Sequence, residues 1–138
     1  MTDKVLLDTG PLVALLNRCD HYHAWAKEQI ALIRAPMFSC EAVLAEAFHL
    51  LRTLAPARLA IMDMLRQRIL LLRFRLDEQQ DRITALLRRY GDVPVSLADA
   101  CLVRMSEMIP DSTVFTLDGD VHIYRRHRRQ IIPLLIPR

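Results

Sequence analysis

Short runs of consecutive apolar residues alternate along this chain with longer stretches in which apolar positions recur every three or four residues. The short runs fall at 5–7, 37–39, 69–74, 113–116 and 131–136. None alternates apolar with polar as a half-exposed strand does, so each reads as a strand buried on both faces. Pro133 inside the last run removes a backbone donor and marks that strand as an edge. The longer stretches predict helices over 11–17, 21–33, 41–54, 56–67, 77–90, 97–108 and 121–128. Leu32 with Ile33, Leu65 with Ile69, and Ile83 with Leu86 and Leu87 supply the stripe that a core-facing helix needs. Buried strands alternating with helices imply an α/β fold, a parallel sheet covered by helices on both faces.

Composition narrows the class. A chain of 138 residues has the size of one domain, and we read 1–138 as a single unit with no internal repeat or dividing linker. With 52% hydrophobic and 25% charged residues it is globular in character. No uncharged apolar run approaches the roughly 18 residues of a membrane span, and the run 5–7 is too short for the core of a signal peptide. The expectation is a cytoplasmic protein without membrane association. Cys19, Cys40 and Cys101 are odd in number and lack CxxC spacing, which favours reduced thiols over a disulfide framework or a zinc ribbon.

Charge points to a polyanion. The net charge is +3, and 17 of the 19 basic residues are Arg, the side chain whose planar fork matches phosphate oxygens. Four carboxylates stand in places that ask for an explanation. Asp8 directly follows the first strand and Asp118 the fourth, and ligands of doubly wound sheets bind beyond such strand ends. Each also reads as a helix cap or the start of a turn. Glu46 has Ala42, Val43, His49 and Leu50 one turn away, a largely apolar face on which an ionised group needs a partner. Asp99 lies among Leu97, Ala98, Ala100 and Leu102, and Ser96 three residues earlier makes a capping box its ordinary explanation. Brought together, four such acids would repel one another until one took up a proton or a divalent cation joined them. An all-oxygen set favours Mg²⁺ or Mn²⁺ over zinc, and ions so held support in-line phosphodiester displacement by water.

Four segments carry a resemblance: Val5-Leu6-Leu7-Asp8-Thr9-Gly10-Pro11-Leu12; Ser39 followed by Val43-Leu44-Ala45-Glu46; Leu97-Ala98-Asp99-Ala100; and Thr116-Leu117-Asp118-Gly119-Asp120. In order and spacing they resemble the PIN domain, in particular its short VapC-like members, from about residue 5 to 135. That resemblance implies a three-layer α/β/α sandwich around a parallel sheet of about five strands. It implies a Mg²⁺- or Mn²⁺-dependent endoribonuclease, frequently a homodimer restrained by a small antitoxin protein. By motif position, Asp8, Glu46, Asp99 and Asp118 would be the catalytic and metal-binding acids. Thr116 would orient the site, Asp120 would be an auxiliary acid, and Thr9 would lend a supporting hydrogen bond. One departure is Val121, where the family often has an aromatic residue.

After the fourth motif comes Tyr124-Arg125-Arg126-His127-Arg128-Arg129. On a helix, Tyr124, Arg125, Arg126, Arg128 and Arg129 would be candidates for RNA binding by phosphate pairing and stacking; a solvated helix end is the alternative. Arg66, Arg68, Arg73 and Arg75 read as a solvated rim, with an interaction surface for an acidic or peptide partner as the alternative. Cys19-Asp20-His21-Tyr22-His23 is poor as a metal cluster, because i and i+2 positions diverge on a helix, and Asp20 reads as an N-cap. Glu46-x-x-His49 lacks the second copy that a di-iron bundle requires. A phospho-receiver would want a lysine after its last strand, yet the only lysines are Lys4 and Lys27. A haloacid-dehalogenase phosphatase would need an acid at Gly10. The remaining alternative is a module of the same fold that binds RNA or protein without cutting.

Overall fold

The structure, a computed structural model, describes residues 4–34 and 36–138. The main sheet is built from β1 (Val5–Leu7), β2 (Met37–Ser39), β3 (Leu70–Leu72) and β4 (Thr113–Phe115), and β7 (Leu134–Leu135) completes it. The order is β3-β2-β1-β4-β7, and every pairing is parallel. Between the strands lie α1 (Thr9–Leu16), α2 (His23–Leu32), α3 (Glu41–Leu50), α4 (Ala55–Arg66), α5 (Gln80–Arg89) and α6 (Leu97–Met108). A short antiparallel hairpin, β5 (Arg125–Arg126) with β6 (Gln130–Ile131), precedes β7.

The two-residue period of a strand sorts the core into two layers. Leu6 and Val114 point into a cluster with Ile83, Leu86, Ala98, Leu102, Val103 and Met105, which belongs to α5 and α6. Val5, Leu7 and Phe115 point the other way, against Leu12 of α1, Leu44 and Ala47 of α3, and Ile61 of α4. Each strand is therefore covered on both sides, which is why its sequence is a plain apolar run. Phe115 is wholly buried and meets the Trp25 ring of α2 edge-on at 5.5 Å. Among the described residues no helix is long and apolar enough to cross a membrane.

Most of the expected elements recur with ends shifted by a few residues, and three expectations are corrected. The stretch 121–128 is not a helix. A 3-10 turn spans Gly119–Ile123, Tyr124 closes it in an extended conformation, and the arginines enter the β5–β6 hairpin. Only Val121 and Tyr124 of that stretch are buried, too short a stripe to hold a helix there. The run 131–136 is divided at Pro133 between β6 and β7, and β7 is an edge strand as the proline implies. Asp20 does not cap α2: its side chain accepts from the Tyr22 N–H at 2.9 Å in the turn before the helix, and Tyr22 holds the cap position. The 77–90 helix opens with a 3-10 turn at Asp77–Gln79 before α5 begins.

Truncating Phe115 to Ala leaves a cavity between the sheet and α2. The expected loss is about 3–5 kcal/mol of folding free energy, read as a lower urea midpoint with an unchanged slope.

Candidate active site

Chain order reverses between β1 and β4: the chain steps from β1 outward to β2 and β3, then returns to lay β4 on β1's other side. The crevice beyond the carboxyl ends of two such strands is where this architecture places ligands. Asp8 and Thr116 are the first residues past those two ends. The Asp8 N–H donates to the Phe115 carbonyl at 3.0 Å, extending the strand pairing by one step. Asp8 then caps α1, one carboxylate oxygen accepting from the Thr9 N–H at 2.7 Å. Its other oxygen accepts from the Thr116 hydroxyl at 2.7 Å, and that hydroxyl accepts in turn from the Asp118 N–H at 2.9 Å. Gly10 suits the close approach, since a Cβ there would lie 3.1 Å from that of Leu117 and would press on it.

Thr9 connects Asp8 to the next helix. Its hydroxyl donates to a Glu46 carboxylate oxygen at 2.9 Å, across the contact between α1 and α3. Asp99 sits in the first turn of α6, in a full capping box. The Ser96 hydroxyl accepts from the Asp99 N–H at 3.0 Å, and the Asp99 carboxylate accepts from the Ser96 N–H at 3.0 Å. The same Asp99 oxygen accepts from the Tyr124 hydroxyl at 3.2 Å.

Electrostatics give this arrangement its character. Burial, above all, pushes the Asp8 carboxyl up from 3.8 to about 6. Hydrogen bonds from Thr116 and the Thr9 backbone pull it down, while the charges of Asp99 and Glu46 push it up. Among the described residues, no cation forms an ion pair with Asp8, Glu46, Asp99, Asp118 or Asp120. The Tyr124 phenol is raised well above its usual range, first by burial, then by the charge of Asp99 and its hydrogen bond, with Asp118 and Asp120 adding to it.

Thr9 links Asp8 to Glu46, and the charges of Asp99 and Glu46 both reach the Asp8 carboxyl. Asp118 caps the 3-10 turn by accepting from the Asp120 N–H at 2.9 Å, and the charges of Asp118 and Asp120 reach the Tyr124 phenol. Both are exposed. Glu46 is exposed too, contrary to its apolar sequence surroundings, on a face of α3 that it shares with the exposed Ala45, His49 and Leu50. Tyr124 is 2% exposed and so is no platform for stacking a base; it is the hydroxyl partner of Asp99, a role without a local sequence signal. Arg125 and Arg126 are half-buried and spend donors on backbone carbonyls of His122, Tyr124, Ser106 and Ser112, tying the hairpin down. Of the five residues expected to meet RNA, Arg128 and Arg129 remain exposed.

The donor chemistry suits a hard divalent cation: oxygen only, anionic, and unneutralised. The spacing is looser. Among the described residues no group of three or more His, Cys, Asp or Glu side chains is close enough, as placed, to hold one ion. Mg²⁺ often takes only one or two carboxylates and keeps several waters, and Asp8, with the charge of Asp99 reaching it, fits that mode.

Comparison with known proteins agrees with the geometry. The fold is similar to that of VapC20 from Mycobacterium tuberculosis, described as a sarcin-ricin loop cleaving toxin, with a TM-score of 0.72 and 21% identity over 85% of this chain and 92% of that one. A search by sequence against curated proteins gave no match. The sequence profile of the PIN domain matches residues 5–127, a span that runs from β1 through the acids at 8, 46, 99, 118 and 120 into the hairpin. With that profile over almost its whole length, this chain belongs to the PIN domain family.

Proposed function

We propose that the chain is a Mg²⁺- or Mn²⁺-dependent endoribonuclease that hydrolyses RNA phosphodiester bonds at the crevice between β1 and β4. One observation carries the reading: a buried carboxylate, Asp8, is held by two directed hydrogen bonds beside Asp99 and Glu46, and among the described residues no cation pairs with any of the three. A bound divalent ion supplies an activated water and charge stabilisation for the displaced oxygen. Asp8 and Asp99 are the residues that would hold it. Thr116 and Thr9 orient the Asp8 carboxylate, and Glu46, exposed and steadied by the Thr9 hydroxyl, is the group that accepts a proton from water. Asp118 completes the acidic set and Asp120 is an auxiliary acid.

RNA as substrate class is supported by PIN family membership and by the sarcin-ricin loop that the description of VapC20 names as its target. On the same footing we propose a toxin role in the cytoplasm, with a small antitoxin as partner and a homodimer as the working unit. A binding module without catalysis draws support from the ordinary capping work of Asp8, Asp99 and Asp118. Metal dependence separates the two readings, because capping needs no ion.

Asp8→Asn and Asp99→Asn are each expected to lower cleavage of single-stranded RNA in Mg²⁺ or Mn²⁺ at least about 100-fold, with the circular dichroism spectrum unchanged. Chelation by EDTA should do the same to the parent. Full cleavage by either variant, or in EDTA, defeats the proposal.

A second prediction concerns pH. The folded state raises Asp8 from 3.8 to about 6, so it holds this proton more tightly than the unfolded chain does. Asp8's contribution to stability is therefore complete below about pH 4 and is lost as pH rises through about 6. In EDTA at pH 7, Asp8→Asn is expected to be more stable than the parent by on the order of 1–3 kcal/mol, and its urea midpoint should lack the decline between those pH values. Millimolar Mg²⁺ should then stabilise the parent more than the variant.

A further inference from the structure

A groove of opposite sign begins one hairpin away from the acids. It lies between α5 and the β5–β6 hairpin and is lined by Arg82, Arg88, Arg89, Arg128 and Arg129, with Glu107 as its one acid. All five arginines are exposed, and among the described residues none forms an ion pair with a carboxylate. Glu107 is already engaged, by Arg104 at 3.3 Å and by the His127 N–H at 2.6 Å. Five guanidinium groups thus share one concave surface with no counter-charge of their own, which is unfavourable until an anion enters.

The shape of the groove is held from within. His127 and Arg128, the first two of the three residues between the paired Arg126 and Gln130, have φ of 49° and 70°. A turn of that hand is ordinarily made with Asn and Gly, so other residues there need holding in place. The groove does the holding: Glu107 accepts from the His127 N–H, and Arg89 donates to the Arg128 carbonyl. Arg89 also lies over the Tyr90 ring, 5.4 Å from its centroid. The Tyr90 hydroxyl accepts from the Arg125 N–H at 2.9 Å, and its ring meets Tyr124 edge-on at 5.0 Å. Tyr124 in turn donates to Asp99. An unbroken series of contacts therefore fixes the arginine groove relative to the acidic crevice.

We infer that this groove binds the phosphodiester backbone of the RNA strand whose scissile bond lies in the crevice. The inference rests on the ribonuclease reading and extends it to residues of α5, Arg82 and Arg88, that carry no motif. The contacts that tie the groove to the crevice favour a nucleic acid strand over an acidic peptide, since one long polyanion can then reach both. Forked, weakly hydrated guanidinium groups suit phosphate oxygens. The same positive surface offsets the repulsion that a polyanion meets on approaching uncompensated carboxylates.

The test is binding of a fluorescein-labelled 12-nucleotide single-stranded RNA to the full chain carrying Asp8→Asn, in EDTA, over a range of salt concentrations. Adding Arg82→Gln with Arg129→Gln should weaken binding about tenfold or more and flatten the plot of log affinity against log salt by roughly 0.7 for each phosphate left without its guanidinium. Arg88→Gln alone serves as the independent variant, and Arg82→Lys should restore part of the affinity and most of the slope. Unchanged affinity and slope in the glutamine variants would overturn the inference. So would a poly-glutamate peptide that binds more tightly than the RNA and is the ligand whose binding the substitutions weaken. Cleavage by the protein without Asp8→Asn is scored separately, so a chain that binds RNA through the groove but never cuts it defeats the ribonuclease reading and leaves the groove standing.

Discussion

Asp8 is a carboxylate buried where two parallel strands part, and the neighbouring chain is arranged to keep it there. Both its oxygens are engaged, one by the first turn of α1 and one by the hydroxyl of Thr116. Those two bonds stabilise its charged form, yet burial and two like charges outweigh them and leave it near 6. A protein under no other demand would place an amide or an apolar residue at that position. The arrangement holds negative charge ready for something positive from outside, a pattern in which stability yields to function.

The fold determines which residues can serve this carboxylate. Because β4 returns to pair beside β1, residues 8 and 116 become neighbours although 108 positions separate them. Because α1 leaves the same strand end, its first residue Thr9 can donate one way with its backbone and another with its hydroxyl, joining Asp8 to Glu46 on α3. The opposite face of the sheet brings α6, whose capping box fixes Asp99 at the same crevice. Two tyrosines then separate the acids from a cationic groove. Fields of opposite sign on one surface can orient a long polyanion in a way that neither field alone could achieve.

Legibility in the sequence followed the range of the forces involved. The strands were readable because burial on both faces leaves no room for polar residues, as in Val5-Leu6-Leu7. Helix α6 was readable to the residue, since Ser96 and Asp99 form its start signal through a local hydrogen-bond pair. The segment after Asp118 was not. A row of arginines has good helix propensity, but propensity without a buried stripe does not make a helix, and the row folds as a hairpin held by Glu107 and Arg89 from elsewhere in the chain. Glu46 and Tyr124 were misplaced for the same reason in opposite senses. Apolar neighbours in sequence made Glu46 look enclosed and a basic neighbourhood made Tyr124 look exposed, whereas the packing of distant elements decided both.

Capping and catalysis are not rival explanations of these acids. An ionised carboxylate offers about four lone-pair sites, and the caps use only some of them. Asp99 takes the Ser96 N–H and the Tyr124 hydroxyl on a single oxygen, and Asp8 takes one protein donor on each of its two. Capping fixes the direction in which the unused lone pairs point, with a precision that a side chain on a free rotor would lack. The donors are neutral N–H and O–H groups, so orientation is supplied without cancelling charge. A helix N-terminus that needs an acceptor and a reaction that needs a fixed anion can thus be served by one residue. The ordinary reading of Asp8 and Asp99 is therefore correct, and it still does not account for the absence, among the described residues, of any cation paired with them.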